Sequence, residues 1–168
     1  GVEISKTVDG LPIPELADMV ISSSSPIDHD FFQADKGITS AEPATKQGGE
    51  IILVSGCIEG ISPAHPELAD YLGKITNAKI WEILHRREAP DPLTGAEAIV
   101  FNDIKDKMRI TLATEGVSPE MCESMDFGHV WPSDLKDYVR QRIAGQPGIK
   151  IGILRQSAEV LPILESES

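Results

Sequence analysis

Short apolar runs alternate with amphipathic segments along most of the chain. The apolar runs predict strands at Ala17–Ser23, Glu50–Cys57, Arg109–Thr114, Gly128–Trp131, Lys150–Arg155 and Val160–Leu164. The segments between them predict helices at residues 30–36, 39–48, 66–71, 78–87, 95–107, 119–125 and 133–144. This alternation favours an α/β fold with three layers, in which a mostly parallel, Rossmann-like sheet carries helices on both faces.

Glycines, prolines and one short connection predict where these elements end and how the last strands pair. Pro12 and Pro14 predict an irregular lead-in before the first strand, because proline has no backbone N–H to donate. Gly37 and the Gly48–Gly49 pair are expected to end the first two helices. The tight connection at residues 156–158 predicts that the last two strands form an antiparallel pair at the C-terminal edge of the sheet.

The composition fits one α/β domain that spans residues 1–168. Hydrophobic residues make up 40% of the 168 positions, which is enough for one core, and two independent cores are not expected. The net charge is −12, from 15 Lys and Arg against 27 Asp and Glu. A surface this negative argues against nucleic acid and anionic membranes as partners. No apolar run approaches the ~18 residues that a membrane span needs.

The cysteines and the N-terminus predict the cellular setting. Cys57 and Cys122 are far apart and form no CxxC motif, so a reducing, cytoplasmic setting is expected. The N-terminus lacks the basic and apolar blocks of a signal peptide. The first residue is Gly1 rather than Met, and structured-looking sequence follows at once, which indicates that the chain belongs to something longer.

Three loops are expected to meet at one edge of the sheet. If the first three strands are parallel, their carboxyl ends lead into Ser22–Ser25, Gly56–Gly60 and Thr114–Gly116. Open α/β sheets usually bind their ligands at this edge. The pattern therefore predicts a crevice for a small ligand there.

Gln33 and Lys36 are the polar side chains that the pattern places beside that edge. Their i, i+3 spacing puts them on one face of the first predicted helix. An amide and an ammonium group displayed together suit a small carboxylate or hydroxy acid. Two structural roles compete with ligand binding. Gln33 can form a capping box with Asp30, and Lys36 can complement the dipole at a helix C-terminus.

The histidines and serines predict no self-contained catalytic or metal site. His29, His65, His85 and His129 have neither an i, i+4 partner nor a neighbouring Glu at metal-ligand spacing. The serines at 22–25 lack the GxSxG motif of hydrolases and have no convincing partner histidine. We therefore assign no metal ligand and no catalytic residue to this chain.

Three stretches of the sequence resemble a known family. They are Ala17–Asp28, then Phe32-Gln-Ala-Asp-Lys-Gly37, and Gly48-Gly-Glu-Ile-Ile-Leu-Val54. Together with the order of helices and strands up to about Leu164, they resemble the C-terminal domain of the nickel-dependent lactate racemase family. The most specific element is the Gln-x-x-Lys-Gly signature that follows a Pro-x-Asp turn.

This resemblance implies a two-domain enzyme that racemises or epimerises 2-hydroxy acids. The family uses a nickel-pincer nucleotide, held mainly by the N-terminal domain, to take a hydride from the carbinol carbon and return it on the other face. Two histidines of that domain act as base and acid, and the C-terminal domain closes over the cleft. The resemblance thus implies that this chain needs the missing N-terminal catalytic domain as a partner, and that alone it binds no cofactor and is inactive.

The same resemblance assigns roles to individual residues. Gln33 and Lys36 are expected to bind the substrate, a small 2-hydroxy acid, with Lys36 paired to its carboxylate or to a nearby cofactor anion. The residues expected to line the pocket are Ser24, Ser25, Asp28 and Phe32.

The chain departs from the family pattern at two places, so its substrate can differ. Ser24-Ser25 stands where the family often has glycines and an aromatic residue, and Pro90–Leu93 lacks a tryptophan that is often present. Two rival hypotheses stay open. One is a non-enzymatic, Rossmann-like module that binds a nucleotide or small anion. The other is a structural interaction domain in which Gln33 and Lys36 serve only the helix ends.

Overall fold

The computed structural model describes residues 8–165. In this range the strands are β1 (Gly10–Ile13), β2 (Ala17–Ser23), β3 (Thr45–Val54), β4 (Arg109–Ala113), β5 (Gly128–Val130), β6 (Ile151–Leu154) and β7 (Leu161–Leu164). The α-helices are α1 (Phe31–Ala34), α2 (Lys36–Ala41), α3 (Leu68–Tyr71), α4 (Asn77–His85), α5 (Pro92–Lys105), α6 (Pro119–Ser124) and α7 (Leu135–Gly145). Short 3-10 turns lie at Glu42–Ala44 and Ser157–Glu159. None of the helices in residues 8–165 has the length and apolar character that crossing a membrane requires.

Five of the described strands form one fully parallel sheet, in the order β5-β4-β3-β2-β6. β3 lies at the centre of the sheet, and its last four residues, Ile51–Val54, are apolar on both faces, as expected for a strand covered on both sides. The larger core, which includes Phe31 and Phe101, lies on one side of the sheet. α7 covers the other side through Leu135, Tyr138 and Val139. The predicted three-layer, Rossmann-like α/β fold is confirmed.

The predicted antiparallel pair at the C-terminal edge is wrong. β6 joins the main sheet beside β2, and β7 pairs in parallel with β1, starting with Leu161 opposite Gly10. Between β6 and β7, Gln156 has a left-handed φ of 50° and a 3-10 turn follows, so the chain turns away from β6. Gly10–Ile13 therefore form a strand where the sequence predicted an irregular lead-in. The earlier part of that lead-in, residues 1–7, lies outside the described range. Pro12 is tolerated because β1 is paired on one side only.

Gly37 and Gly48 do not end helices as predicted. α1 ends at Ala34 and α2 begins at Lys36, so Gly37 lies inside α2. A Cβ on Gly37 would lie 2.7 Å from Leu53 Cδ1, so glycine allows close packing on the sheet and a larger residue would displace side chains there. Gly48 lies inside β3 with a φ of 78°, at a bulge in the pairing with β2. The helix predicted at 39–48 is therefore shorter and begins earlier.

Three phenylalanines anchor α1 to the core. Phe31 is fully buried, and its ring centroid lies 5.9 Å from that of Phe101 and 5.7 Å from that of Phe127. Tilted aromatic packing of this kind adds to the stabilisation that burial provides. α1 has only four residues, so this anchor rather than helix propensity fixes its position. The anchor also fixes Gln33, the polar residue that follows Phe31 in the same helix.

Candidate functional site

The loops that follow β2, β3 and β4 meet at the carboxyl edge of the sheet, which confirms the predicted convergence. Cys57 donates its backbone N–H to Asp28 O at 2.8 Å, which joins the first two loops. Gly116 donates to Gly56 O at 3.2 Å, which joins the second and third loops. A Cβ on Gly116 would lie 1.7 Å from Cys57 O, so only glycine permits this approach. Backbone contacts therefore connect the three loops into one platform.

The first loop leads into α1, whose N-terminus is held from two sides. Asp30 caps the helix, because its Oδ1 accepts the backbone N–H of Gln33 at 2.8 Å. The backbone N–H of Phe31 donates to Gly60 O, in the second loop, at 2.9 Å. The first N–H groups of a helix have no partner within the helix itself. The second loop therefore satisfies one of them and holds α1 against the platform.

Gln33 and Lys36 form a hydrogen-bonded pair at the corner between α1 and α2. Lys36 Nζ donates to Gln33 Oε1 at 2.7 Å, which confirms that the two side chains share a face. Lys36 is exposed and Gln33 is partly buried. Because the lysine uses Oε1, the amide N–H groups of Gln33 and the other N–H groups of the ammonium stay available. The pair thus presents several hydrogen-bond donors and one positive charge to a ligand.

The two structural explanations for this pair have different outcomes. Asp30 does cap α1, but the Gln33 side chain bonds to Lys36 instead of completing a capping box. Lys36 is the first residue of α2, where the helix dipole is positive. Lys36 also directly follows Asp35, the C-cap of α1, so it lies between the negative end of one short helix and the positive end of the next, and the dipole explanation stays a prediction.

Ser22 and Gly37 tie this corner to the sheet. Ser22 Oγ is fully buried and lies 2.7 Å from both Gly37 O and Ser157 Oγ. Ser157 Oγ in turn donates to Ser23 O at 2.9 Å. The backbone next to Lys36 is therefore connected to β2 and to the 3-10 turn before β7. The Lys-Gly order combines an exposed cation with a residue small enough to pack on the sheet.

Asp35, between the two polar residues, is an acid that is only 1% exposed. Burial raises the pKa of Asp35 to about 9, and the nearby carboxylate of Glu97 on α5 adds to the shift. Asp35 is therefore neutral at pH 7, and its Oδ2 has no hydrogen-bond partner among residues 8–165. A neutral neighbour leaves the charge of Lys36 available to an incoming anion.

The other residues predicted to line a pocket lie on the same platform in different environments. Ser24 is fully buried, and its Oγ has no hydrogen-bond partner within the described part of the chain. Ser25 is exposed, and Asp28 and Phe32 are partly buried. Three of the four thus reach the surface, whereas Ser24 does not. Contact between these side chains and a ligand stays a prediction.

Sequence reasoning missed a histidine and a carboxylate that the fold brings to this corner. His65 Nδ1 lies 2.6 Å from Asp91 Oδ2, and the side chains are 25% and 26% exposed. The His65 ring stacks on Phe32, with ring centroids 4.2 Å apart. A search for histidine partners at short spacing cannot find Asp91, which lies 26 positions away. The available signal was the Asp-Pro sequence, which is typical of a helix N-cap.

The described residues do not fit a metal site. No group of three or more His, Cys, Asp or Glu side chains within residues 8–165 could hold a metal ion. An apolar groove of about 310 Å³ exists elsewhere, and it is lined by Leu11, Ile13, Val20 and Ile151 among others. It runs along β1 and β6 and includes none of the residues predicted to bind a ligand. The candidate site is therefore the exposed corner that carries Gln33 and Lys36.

Comparison with known proteins gives matches over much of the chain. Residues 14–142 match the model of the lactate racemase C-terminal domain. Lactate racemase of Lactiplantibacillus plantarum is 37% identical over 62 residues, which cover 36% of this chain and 14% of that protein. Lactate racemase of Thermoanaerobacterium thermosaccharolyticum is 44% identical over 46 residues, which cover 26% of this chain and 11% of that protein.

Solved structures share the fold over nearly the whole chain. The lactate racemase apoprotein of Thermoanaerobacterium thermosaccharolyticum has a TM-score of 0.75 at 22% identity, covering 97% of this chain and 39% of that one. A Thermotoga maritima protein has a TM-score of 0.69 at 16% identity, covering 97% and 40%. This chain thus spans about two fifths of each solved relative. Since the family model matches more than half of its residues, the chain belongs to the lactate racemase C-terminal domain family.

Proposed function

We propose that this chain is the substrate-binding, C-terminal domain of a racemase or epimerase of 2-hydroxy acids. The observation that carries the proposal is the Gln33–Lys36 pair, which presents donors and a positive charge beside the carboxyl edge of a parallel sheet. Membership of the family supports it, and the curated relatives that the chain matches are named lactate racemase. The parent protein would accordingly be an isomerase.

In this proposal Lys36 binds the carboxylate of the substrate and Gln33 orients it. A carboxylate that leaves water needs a paired cation and hydrogen-bond donors. The 2.7 Å bond between the two side chains keeps the ammonium and the amide within reach of one carboxylate. Asp35 is buried behind them and neutral, so it does not compete for the charge of Lys36. Each partner of the pair supplies at least one N–H to the ligand.

The remaining groups of the active site belong to another domain in this proposal. The chain spans about two fifths of a solved lactate racemase, so an N-terminal catalytic domain is the proposed partner. A nickel-pincer nucleotide, implied by the family resemblance, would be held there, since no cluster within residues 8–165 fits a metal. The corner between α1 and α2 would close over the cleft. Cys57 and Cys122 are free and buried, which is compatible with a reducing cytoplasm.

The test is the racemisation of 2-hydroxy acids by the complete enzyme. The full reading frame that contains this chain is produced with its cofactor, and each enantiomer of several acids is followed by chiral chromatography. We expect Lys36→Ala to lower kcat/KM about 30-fold, which corresponds to about 2 kcal/mol for one partner of a desolvated ion pair. Lys74→Ala is the matched control, because Lys74 is an exposed lysine on another segment, paired with Asp70.

The outcomes separate the hypotheses. An unchanged kcat/KM for Lys36→Ala across all acids would contradict the role of this corner. The isolated chain is expected to show no racemase activity and no stoichiometric nickel, and either one would contradict the assignment of the catalytic groups to another domain. Binding of a nucleotide or small anion by a complete protein that racemises nothing would favour the non-enzymatic module instead.

A further inference from the structure

His65 and Asp91 form a pair that the proposed function does not use. Asp91 is fixed independently of the histidine, because it caps α5: its Oδ1 accepts the backbone N–H of Leu93 at 2.9 Å. The backbone oxygen of Asp91 also accepts a hydrogen bond from Thr94 Oγ1 at 2.8 Å. The other carboxylate oxygen, Oδ2, lies 2.6 Å from His65 Nδ1. A carboxylate anchored on a helix therefore orients the imidazole.

This contact determines which ring nitrogen is open. The hydrogen bond from His65 holds the pKa of Asp91 below its usual range, so the carboxylate is ionised and can only accept. Nδ1 of His65 therefore carries the shared proton, and Nε2 is the other polar atom of the ring. Among residues 8–165, Nε2 has no hydrogen-bond partner, and the side chain is 25% exposed. The ring is thus held on one side and open on the other.

The same ring packs against the segment that carries the Gln33–Lys36 pair. It stacks on Phe32 at a centroid distance of 4.2 Å and an interplanar angle of 28°. Phe32 directly precedes Gln33 and lies four positions before Lys36, and that spacing brings side chains together on one helical face. The spacing applies across the junction of α1 and α2 because Asp35 keeps helical angles, with φ −60° and ψ −22°.

We propose that His65 is a specificity residue of this site, and that its Nε2 hydrogen-bonds a hydroxyl group on the carbon next to the carbinol carbon of the substrate. This inference rests on the proposed function and names the substrate class: 2-hydroxy acids that carry a further hydroxyl on that carbon. Lys36 takes the carboxylate next to the carbinol, and His65 takes the additional oxygen. Phe32 covers one face of the imidazole and keeps water from it.

A purely structural role would use the other half of the histidine. In that case the bond to Asp91 ties the second loop to α5, and Nε2 is unimportant. Two substitutions separate the roles, because each amide side chain imitates one ring nitrogen. His65→Asn places its amide near Nδ1, so it keeps the bond to Asp91 and loses the group at Nε2. His65→Gln places its amide near Nε2 and loses the bond to Asp91.

The experiment compares lactate, glycerate and malate as substrates of the complete enzyme, since these acids differ only in the group next to the carbinol carbon. We expect the wild type to prefer glycerate over lactate and malate at least about tenfold in kcat/KM, because a site built around a hydrogen bond rejects analogues that lack it. His65→Asn is expected to remove that preference with an unchanged melting temperature, and His65→Gln to keep most of it. His85→Asn is the control, because His85 is exposed and bonds Trp81 O within α4.

Each result decides between the two proposals. If Lys36→Ala lowers activity on all three acids while His65→Asn keeps the wild-type preference, the proposed function stands and the role of His65 is overturned. A wild type that prefers lactate or malate over glycerate overturns the role of His65 whatever the variants do. If the wild type racemises none of the three acids, the proposed function fails, and the inference about His65 fails with it.

Discussion

Two polar clusters lie at opposite ends of the parallel sheet and use similar side chains in different ways. At the carboxyl end, Lys36 and Gln33 form a pair that is open to solvent. At the amino end, Glu50 lies opposite the first residue of β4 and is only 1% exposed. Its Oε1 accepts hydrogen bonds from Thr111 Oγ1 at 2.7 Å and from Tyr138 OH at 2.5 Å. One cluster is open and the other is closed.

The difference lies in whether the charge already has its partners. Arg142 Nε lies 3.1 Å from Glu50 Oε2 and forms an ion pair with it, while Oε2 accepts no hydrogen bond within residues 8–165. Oε1 thus has two donors and Oε2 has a neighbouring cation. Two of the three partners, Tyr138 and Arg142, belong to α7, and the cluster therefore holds that helix on the sheet. Among residues 8–165, the Lys36 ammonium has one hydrogen-bond partner, Gln33 Oε1, and its other N–H groups stay available to a ligand. A closed cluster stabilises the fold, whereas an open one is available to a ligand.

Removal of Glu50 tests the closed cluster and has the largest expected effect. Glu50→Ala leaves Thr111 and Tyr138 without their acceptor, leaves Arg142 without its ion-pair partner and opens a cavity, so we expect the free energy of unfolding to fall by about 3 kcal/mol. Urea unfolding of the chain, followed by circular dichroism, measures this change. The exposed Glu88 provides a control, since Glu88→Ala should stay within about 0.5 kcal/mol of the wild type. A comparable loss of stability in Lys36→Ala would contradict the distinction between the clusters.

Asp35 offers a test through pH. Its pKa is about 9 in the folded chain, against an ordinary value of 3.8, because burial and Glu97 disfavour its ionisation. Between these values the folded chain holds a proton that the unfolded chain releases, so stability falls as pH rises. The contribution of protonated Asp35 to the free energy of unfolding is fully present below about pH 4. It is lost gradually as the pH rises to about 9, by no more than about 1.4 kcal/mol per pH unit. Asp35→Asn stays neutral and should lose less stability over this range.

Urea unfolding at about pH 6, 7 and 8 measures that slope for the wild type and the variant. Asp70→Asn is the control, because the Asp70 side chain is 75% exposed and the variant should follow the wild type. Equal slopes for Asp35→Asn and the wild type would mean that Asp35 is ionised behind Lys36. The open pair would then include a competing anion, and the contrast with the closed cluster would weaken.

The sheet and the position of the candidate site could be predicted because they depend on local patterns. The apolar run that ends at Val54 and the serine-rich turn after Ile21 each mark a strand and its carboxyl end. Gln33 and Lys36 are three positions apart in a segment that Asp30 caps, so their shared face follows from helix geometry. None of these inferences needs knowledge of a distant residue.

The features that could not be predicted depend on contacts between distant residues. Gly37 has the sequence context of a helix stop, but its role is set by Leu53 and Ser157, which limit the space above it. The pairing of β1 with β7 joins the two ends of the described range, and no local pattern specifies it. His65 and Asp91 meet only because the second loop and the start of α5 fold together.

Tyr138→Phe makes the smallest expected change and shows whether the closed cluster acts through its hydrogen bonds. Burial, followed by the carboxylate of Glu50, raises the pKa of the Tyr138 hydroxyl, so the donor is protonated at neutral pH. Its loss should lower the free energy of unfolding by about 1 kcal/mol, because Thr111 and Arg142 still face Glu50. In the Glu50→Ala background the same substitution should cost almost nothing, since the acceptor is gone. If Tyr138→Phe lowers the free energy of unfolding equally in both backgrounds, the Tyr138 hydroxyl does not act through Glu50. The amino end of the sheet would then not be stabilised by the hydrogen bond from Tyr138 to the Glu50 carboxylate.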